Sequence, residues 1–540
     1  MICMKKNGIL LCLSILVLTV TNVFAQSSSD ANGHLSANFH AGRRQALRSL
    51  MPANSVAVIF AFPERNYSND VDYVYHANPD LYYFSGYTEP DAMLLIFKEN
   101  QPVANGSNEI MYVRKRDASR EQWTGRRLGI EGAKEKLGFK EVYNGGDFKN
   151  LPIDFKKFST VLYDMLPDDA RSSGVDGNIS GILGAFKEKM NLPKDNDNLL
   201  LGDLLRIANL NNTKMLPRLV DLIKSKLGNE AYKNNPFIQQ LIANPDTITL
   251  AAVSTEIKAK YGGMSLYNQL VGRLREIKMP EELVALRKSC EISAIAHKEA
   301  MRAIEPGMSE RELQGILEYV HRKYDAEGEG YPPIVGAGGN GCVLHYIENS
   351  LPKVNNQLVL MDVGSEYRGY SADVTRTIPA NGKFSPEQKA IYQLVYEAQE
   401  EVFKLCKQGV PFGSLNEKAT EILAAGLIKL GIIKEASEVR KYYPHGCSHH
   451  LGLDVHDKSQ SRILQENMVI TVEPGIYIPQ GSPCDKKWWD IGVRIEDDII
   501  IGKEKGENIS AAAPRKWEDI EKTIAEKSAF ETMKLPVLKN

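Results

Sequence analysis

Several acidic side chains stand where a buried strand calls for apolar ones, and that placement restricts how the chain can fold. Asp362 follows the apolar run from Leu358 in Met361-Asp-Val-Gly364. Glu473 interrupts Val469-Ile-Thr-Val-Glu-Pro-Gly-Ile-Tyr477, and Glu496 interrupts Gly492-Val-Arg-Ile-Glu-Asp-Asp-Ile-Ile-Ile501. A fourth acid, Asp373 in Ser371-Ala-Asp-Val-Thr-Arg376, lies 11 residues after Asp362, with Gly369-Tyr370 at a natural turn between them. Two strands joined at that turn bring both carboxylates together. An ionised carboxylate in an apolar strand is costly unless a cation neutralises it. Singly, Asp362 or Asp373 reads as a turn residue or a cap. Asp497 and Asp498 are weaker candidates than Glu496, because alternation points them elsewhere or into a turn.

Pro444 to Asp457 carries His445, His449, His450 and His456, four of the chain's 10 histidines within 12 residues. Any one of them could belong to a surface loop. Imidazole is the commonest metal ligand and a ready proton carrier, so a cluster near acidic strands shifts that reading. Two Asp, two Glu and one His form an oxygen-rich set. Its four negative charges cannot share a pocket unpaired, whereas two divalent cations would neutralise them. Such ligation suits manganese or cobalt at least as well as zinc.

The 540 residues exceed what one hydrophobic core organises, so two domains are expected. Lys5 and Lys6, an apolar run from Ile9 to Val20, and Val23-Phe24-Ala25 give the order of a secretory signal peptide over residues 1–25. An uncleaved anchor is the alternative, although the run falls short of the roughly 20 residues that span a bilayer. Export places the protein in the periplasm or outside the cell, with no membrane span after cleavage. Residues 26–40 read as a polar, disordered linker. Ser55 to Phe62 and Ala92 to Phe97 read as strands among helices, an α/β domain over 41–272, with a helical insertion at about 165–270. The second domain, 273–540, reads as α+β. It opens with an amphipathic helix from Glu281 to Ile304, and Ser309 caps the next. Strands are expected at 358–363, 469–477 and 493–501, and a helix at 387–407. The five cysteines beyond the signal show no CxxC pair or regular spacing, so neither a disulfide framework nor a zinc knuckle is expected. A formal net charge of −2 without a basic stripe argues against nucleic acid as a partner.

In order and local context, Asp362, Asp373, His449, Glu473 and Glu496 resemble the metal ligands of the pita-bread metallopeptidases, family M24. Within them the chain is similar to the Xaa-Pro aminopeptidases (aminopeptidase P). The matching motifs are Leu344-His-Tyr346, Met361-Asp-Val-Gly364, Asp373-Val-Thr-Arg-Thr377, His445-Gly-Cys-Ser-His449, Leu451-Gly-Leu-Asp-Val-His-Asp457, Glu473-Pro-Gly475 and Arg494-Ile-Glu-Asp-Asp498. Tyr82-Tyr-Phe-Ser-Gly-Tyr-Thr-Glu-Pro-Asp91 and Gln122-Trp-Thr-Gly125 resemble that family's first domain. The resemblance implies a pita-bread catalytic domain and hydrolysis of the first bond of peptides with proline in second position. It assigns Asp362 to one divalent metal, most readily manganese with cobalt or zinc as alternatives, and His449 and Glu473 to a second, with Asp373 and Glu496 bridging. Glu473 would also serve as general base. His345 and His456 would contact substrate and stabilise the oxyanion or shuttle a proton. His445 and Arg494 would support them, Arg494 by orienting the carboxylates. Kinship further implies a homodimer or homotetramer. Cys447 and His450 depart from the family's usual Thr or Val and aromatic residue, and His450 is expected to alter the pocket wall. The insertion is expected to lengthen a dimer contact or narrow access to the site.

Gly336-Ala-Gly-Gly-Asn-Gly341 fits G-x-G-x-x-G, but ten residues to Pro352 leave no room for the helix a dinucleotide fold needs. Those glycines, beside His345, are expected to keep the substrate channel narrow. Prolidases share the five ligands but cleave Xaa-Pro dipeptides; methionine aminopeptidases usually lack such a first domain. A metal-free binding relative should have lost a ligand, and this chain keeps all five.

Overall fold

The computed structural model describes residues 33–532 except 173, 193–197 and 211. The signal segment expected at 1–25 lies outside the described residues. The linker expected to reach residue 40 is helical from Ala37: Ser36 caps the helix Ala37–Leu50 by accepting from Phe39 N at 3.2 Å, and Phe39 and His40 are buried. Burial of an aromatic face turns that stretch into part of the core.

The first domain is built on a five-stranded mixed sheet ordered Val142–Asn144, Glu109–Val113, Met93–Phe97, Ser55–Phe60 and Thr160–Tyr163. Ser55–Phe60 and Met93–Phe97 pair antiparallel and are buried throughout, in keeping with runs that are apolar but for Ser55. The helices Ile179–Met190, Asn198–Ala208, Leu216–Lys224, Glu230–Lys233 and Pro236–Ala243 follow. From Leu204 to Ile257 this module has its own apolar core, including Ile207, Ile223, Leu241 and Val253. The chain returns along the 30-residue helix Thr247–Glu276. That helix packs on the edge strand Thr160–Tyr163, protecting backbone that would otherwise be open to pairing. Gly263 permits the approach, because a Cβ there would lie 2.0 Å from the Val161 carbonyl oxygen. The boundary expected at 272/273 falls inside this helix, which carries the chain across to the second domain.

The second domain is α+β, as expected. The helices Pro280–Ala303 and Glu310–Lys323 pack together ahead of an antiparallel sheet of Ile334–Ala337, Leu358–Asp362 and Thr375–Pro379. Helix Pro386–Phe403 covers further strands, and Gly413–Lys429 packs against that helix. The single strands expected at 469–477 and 493–501 are each broken in two. Val469–Val472 pairs with Asp497–Ile500, and Gly475–Ile478 pairs with Ile491–Arg494. The breaks fall at Glu473-Pro474 and Ile495-Glu496, so both acids occupy gaps in the ladder. Pro474 contributes to the first, since it has no N–H to donate.

Buried ions join the domains. Arg275 bonds Asp80 Oδ1 at 2.6 Å and also bonds Asp457, while Lys278 Nζ reaches Asp457 Oδ2 at 2.8 Å. Lys458 Nζ bonds Asp80 Oδ2 at 2.7 Å and Asp164 Oδ2 at 2.5 Å. These contacts tie the loop after His456 to the first domain.

Gly263→Ala is expected to destabilise the protein by about 2 kcal/mol through backbone displacement. Gly184→Ala, in a helix with open space around it, should be neutral or stabilising by about 1 kcal/mol. Urea titration of both variants checks the contrast.

Candidate metal centre

One cavity of about 570 Å³ gathers every site residue expected from sequence: His345, Asp362, Asp373, His445, His449, His456, Glu473, Arg494 and Glu496. Pairing geometry explains the convergence. Asp362 ends its strand opposite Thr375, and Thr375 bridges to Glu496, so Asp362, Asp373 and Glu496 lie at neighbouring strand ends. The segment carrying His449 runs beside Val469–Val472: Thr471 N donates to His449 O at 2.9 Å and Glu473 N to Cys447 O at 2.8 Å. That places His449 next to Glu473.

The breaks that free the two glutamates are themselves secured. Gln399 Nε2 lies 3.0 Å from Val472 O, 3.1 Å from Ile495 O and 3.0 Å from Asp497 Oδ2. The first two are the carbonyls immediately before Glu473 and Glu496. A helix side chain thus bonds backbone oxygens at the interruption, as buried carbonyls require.

His449 Nδ1 faces its neighbour's carbonyl, His450 O, at 3.1 Å. A carbonyl only accepts, so Nδ1 carries hydrogen and Nε2 turns to the acids, 3.4 Å from Asp373 Oδ2 and 3.6 Å from Glu473 Oε1. Burial lowers the His449 pKa, but the hydrogen bond and charge of Asp373 outweigh it and carry it to about 9. Burial pushes Glu473 up to about 7 against the pull of His449 and Arg494. Glu496 is held well above the carboxylate range by burial and then by Asp373, Glu473 and Asp362. Asp373 is raised by burial and by Asp362.

Tyr331 was not anticipated from sequence. Its hydroxyl lies 2.6 Å from Asp362 Oδ1 and 2.7 Å from Asp373 Oδ1. One phenolic proton serves one oxygen at a time, so without a cation these acids have fewer donors than their charge requires. Nothing in the local sequence of Tyr331 marks it; only its distance to the two acids does. The donor atoms of Asp373, His449 and Glu496 all lie within 4.8 Å of one another. That spacing, with carboxylates resisting ionisation and one imidazole nitrogen turned inward, fits a divalent cation.

Arg494 braces the set. It bonds Asp362 Oδ2, reaches Thr375 Oγ1 at 3.2 Å through Nε, and donates to the Tyr477 hydroxyl at 2.9 Å. Tyr477 is 2.8 Å from His445 Nε2, and His445 Nδ1 is 2.7 Å from Gly446 O. The protons are consistent along the chain: arginine donates to phenol, phenol to imidazole, imidazole to carbonyl. Burial keeps His445 neutral, its pKa lowered to about 4. His456 stands edge-on to His449, ring centres 4.4 Å apart, and His345 is exposed at the mouth.

Other expectations are corrected. His450 does not line the cavity; it is buried and stacked on Phe412, ring centres 5.2 Å apart. None of the described residues of the helical module lines the cavity. The glycines of 336–341 do not line it either. They allow close packing, since a Cβ on Gly336 would meet Asn340 O at 2.9 Å and one on Gly492 would meet Gly341 O at 2.2 Å. Asp497 and Asp498, by contrast, turn elsewhere as expected. Asp497 pairs with buried Arg376 at 2.7 Å, and Asp498 accepts from Asp373 N at 2.9 Å.

The sequence matches the model of metallopeptidase family M24 over residues 284–503 and that of the aminopeptidase P N-terminal domain over 40–161. It is 34% identical to an Escherichia coli Xaa-Pro aminopeptidase over 89% of this chain and 96% of the relative. Human Xaa-Pro aminopeptidase 3 is 29% identical over 91% and 86% of the two chains. The structure of E. coli aminopeptidase P with the inhibitor Pro-Leu superposes with a TM-score of 0.68 at 31% identity, covering 91% of this chain and 98% of that one. The helical module lies between the two matched domains. With both domains matched in order and the pita-bread core in place around this cluster, the chain belongs to metallopeptidase family M24, in its aminopeptidase P group.

Proposed function

We propose that the chain is an exported aminopeptidase that removes the first residue from peptides with proline in second position, using two divalent cations. The observation that carries this is the convergence of Asp362, Asp373, His449, Glu473 and Glu496 on one cavity, in a chain similar to Xaa-Pro aminopeptidases through both domains. Asp362 would hold one cation and His449 and Glu473 the other, with Asp373 and Glu496 shared between the two. When bound, the pair supplies Lewis acidity to the scissile carbonyl and to water, with manganese the best match to the oxygen-rich set. Glu473, which lines the cavity beside the other acids, takes a proton from the attacking water and returns it to the departing proline nitrogen. The new C–O bond replaces the C–N bond, and that proton makes proline a neutral leaving amine.

His345 and His456 flank the mouth, where they donate to the developing oxyanion. His445 and Arg494 keep Tyr477 and Asp362 in place. A prolidase would use the same ligands, but similarity to aminopeptidases across the first domain favours the longer substrate. Export rests on the charged, apolar and small-residue order of residues 5–25.

Metal-loaded protein is expected to release arginine from Arg-Pro-Pro and to leave an Xaa-Pro dipeptide largely intact, with manganese restoring activity after chelation. Amino-acid analysis of both digests decides: no release from any Xaa-Pro peptide would sink the proposal, and dipeptide preference would make the enzyme a prolidase. Asp373→Asn should abolish turnover and lower bound metal by at least one equivalent. Elemental analysis showing full occupancy in that variant rules out the bridging role.

A further inference from the structure

Glu310 is a fully buried acid, and the proposed reaction makes no direct use of it. It is the first residue of the helix Glu310–Lys323, and its carboxylate faces the loop that leads to His345. Oε1 accepts from Ala337 N at 2.8 Å and Asn340 Nδ2 at 3.0 Å. Oε2 accepts from Leu351 N at 2.8 Å and the Tyr346 hydroxyl at 2.9 Å. The four donors come from both ends and the interior of residues 337–351. Glu310 N also donates to Leu351 O at 3.1 Å, so backbone and side chain grip the same end.

Tyr346 is pinned at both extremities. Its hydroxyl also serves Ser350 N at 2.9 Å and Asn340 Nδ2 at 3.0 Å, and its ring packs with Ile334, Leu360 and Tyr477. With Tyr346 anchored inward, its neighbour His345 is presented to the cavity. Donors that converge on one buried carboxylate form charge-assisted bonds, stronger than neutral ones, and fix loop geometry accordingly. A glutamine in that place keeps one acceptor oxygen but sets an NH₂ against Leu351 N, leaving a buried donor unsatisfied.

We infer that Glu310 is a positioning residue that sets the loop of residues 337–351 so that His345 meets the substrate. The inference rests on the proposed aminopeptidase reading for its kinetic consequence, but the ordering of the loop is independent of it. Without this clamp the loop samples other conformations, and the imidazole is present at the mouth for a fraction of the time.

The test is a double-mutant cycle on the metal-loaded full chain, with Glu310→Gln, His345→Ala and the pair assayed on Arg-Pro-Pro. Glu310→Gln is expected to lower kcat/KM about tenfold in the parent and less than about twofold in His345→Ala, with bound metal unchanged. Tyr346→Phe removes one donor and keeps the ring, so it should give a smaller loss with the same dependence on His345 even if Glu310→Gln folds poorly. Equal losses in both backgrounds, loss of metal, or full activity in Glu310→Gln and Tyr346→Phe would overturn the inference. Amide hydrogen exchange separates this failure from that of the functional reading. An inactive parent refutes the aminopeptidase, whereas unchanged protection of residues 337–351 in both variants refutes the clamp whatever the parent cleaves.

Discussion

The structure is organised around a charge problem. Four carboxylates, Asp362, Asp373, Glu473 and Glu496, meet in one cavity, with the His449 imidazole turned toward Asp373 and Glu473. In the protein alone, burial and mutual repulsion raise the pKa of three of them, and His449 is drawn toward the cationic form by Asp373. Such a cluster is stable only while protons or cations neutralise it. Divalent cations do so while leaving the carboxylates ionised, so the charge that sets the acids against one another is also what suits the cluster to such a cation. The group's chemistry follows from an unfavourable arrangement held in place by the rest of the fold.

What holds it is a layer of side chains acting on backbone as much as on the acids. Arg376 is fully buried and donates to Glu496 O and Thr375 O as well as to Asp497. Gln399 bonds the carbonyls before Glu473 and Glu496, and Asp498 accepts from Asp373 N. Each of these fixes the backbone at a ligand position, leaving the ligand carboxylate free. Glu310 does the same for the loop of His345, with four donors on one carboxylate. Partners of this kind fix ligand orientation, and changing them costs metal affinity or activity on the order of 10–100-fold in other sites.

The acids and histidines were legible because they violate local rules: a carboxylate within an apolar run is visible without a structure. The strands Ser55–Phe60 and Met93–Phe97 were legible for the converse reason, since past Ser55 both runs are apolar; their pairing was not. The breaks at Glu473 and Glu496 were not. Strand periodicity continues across them in sequence, and only the change of partner, from Asp497–Ile500 to Ile491–Arg494, reveals two strands. Tyr331, Gln399 and Glu310 were equally hidden, because each acts over a long separation and carries no motif of its own. Helical pattern announced the module after residue 165, but not that its last helix would cover a sheet edge through Gly263. His450 was expected to alter the pocket wall because it stands where the resembling family usually has an aromatic residue. Adjacent residues in extended backbone face opposite ways, and its ring went to Phe412 instead.

The link between domains follows the same logic at greater distance. Arg275 and Lys278 lie at the crossing between domains, and both pair with Asp457, the residue after His456. Asp80 of the first domain takes the other face of Arg275 and also Lys458, the next residue along that loop. A buried ion pair contributes little net stability, yet removing one partner strands the other and costs about 3–5 kcal/mol. The geometry here is therefore easier to keep intact than to relax by degrees. Asp457 cannot shift without uncovering Arg275 and Lys278, and Lys458 cannot shift without uncovering Asp80. His456 lies directly before these two anchored residues, so its place beside His449 depends on the docking of the first domain. None of the described residues of that domain lines the cavity; its part in the site is to hold the loop from behind.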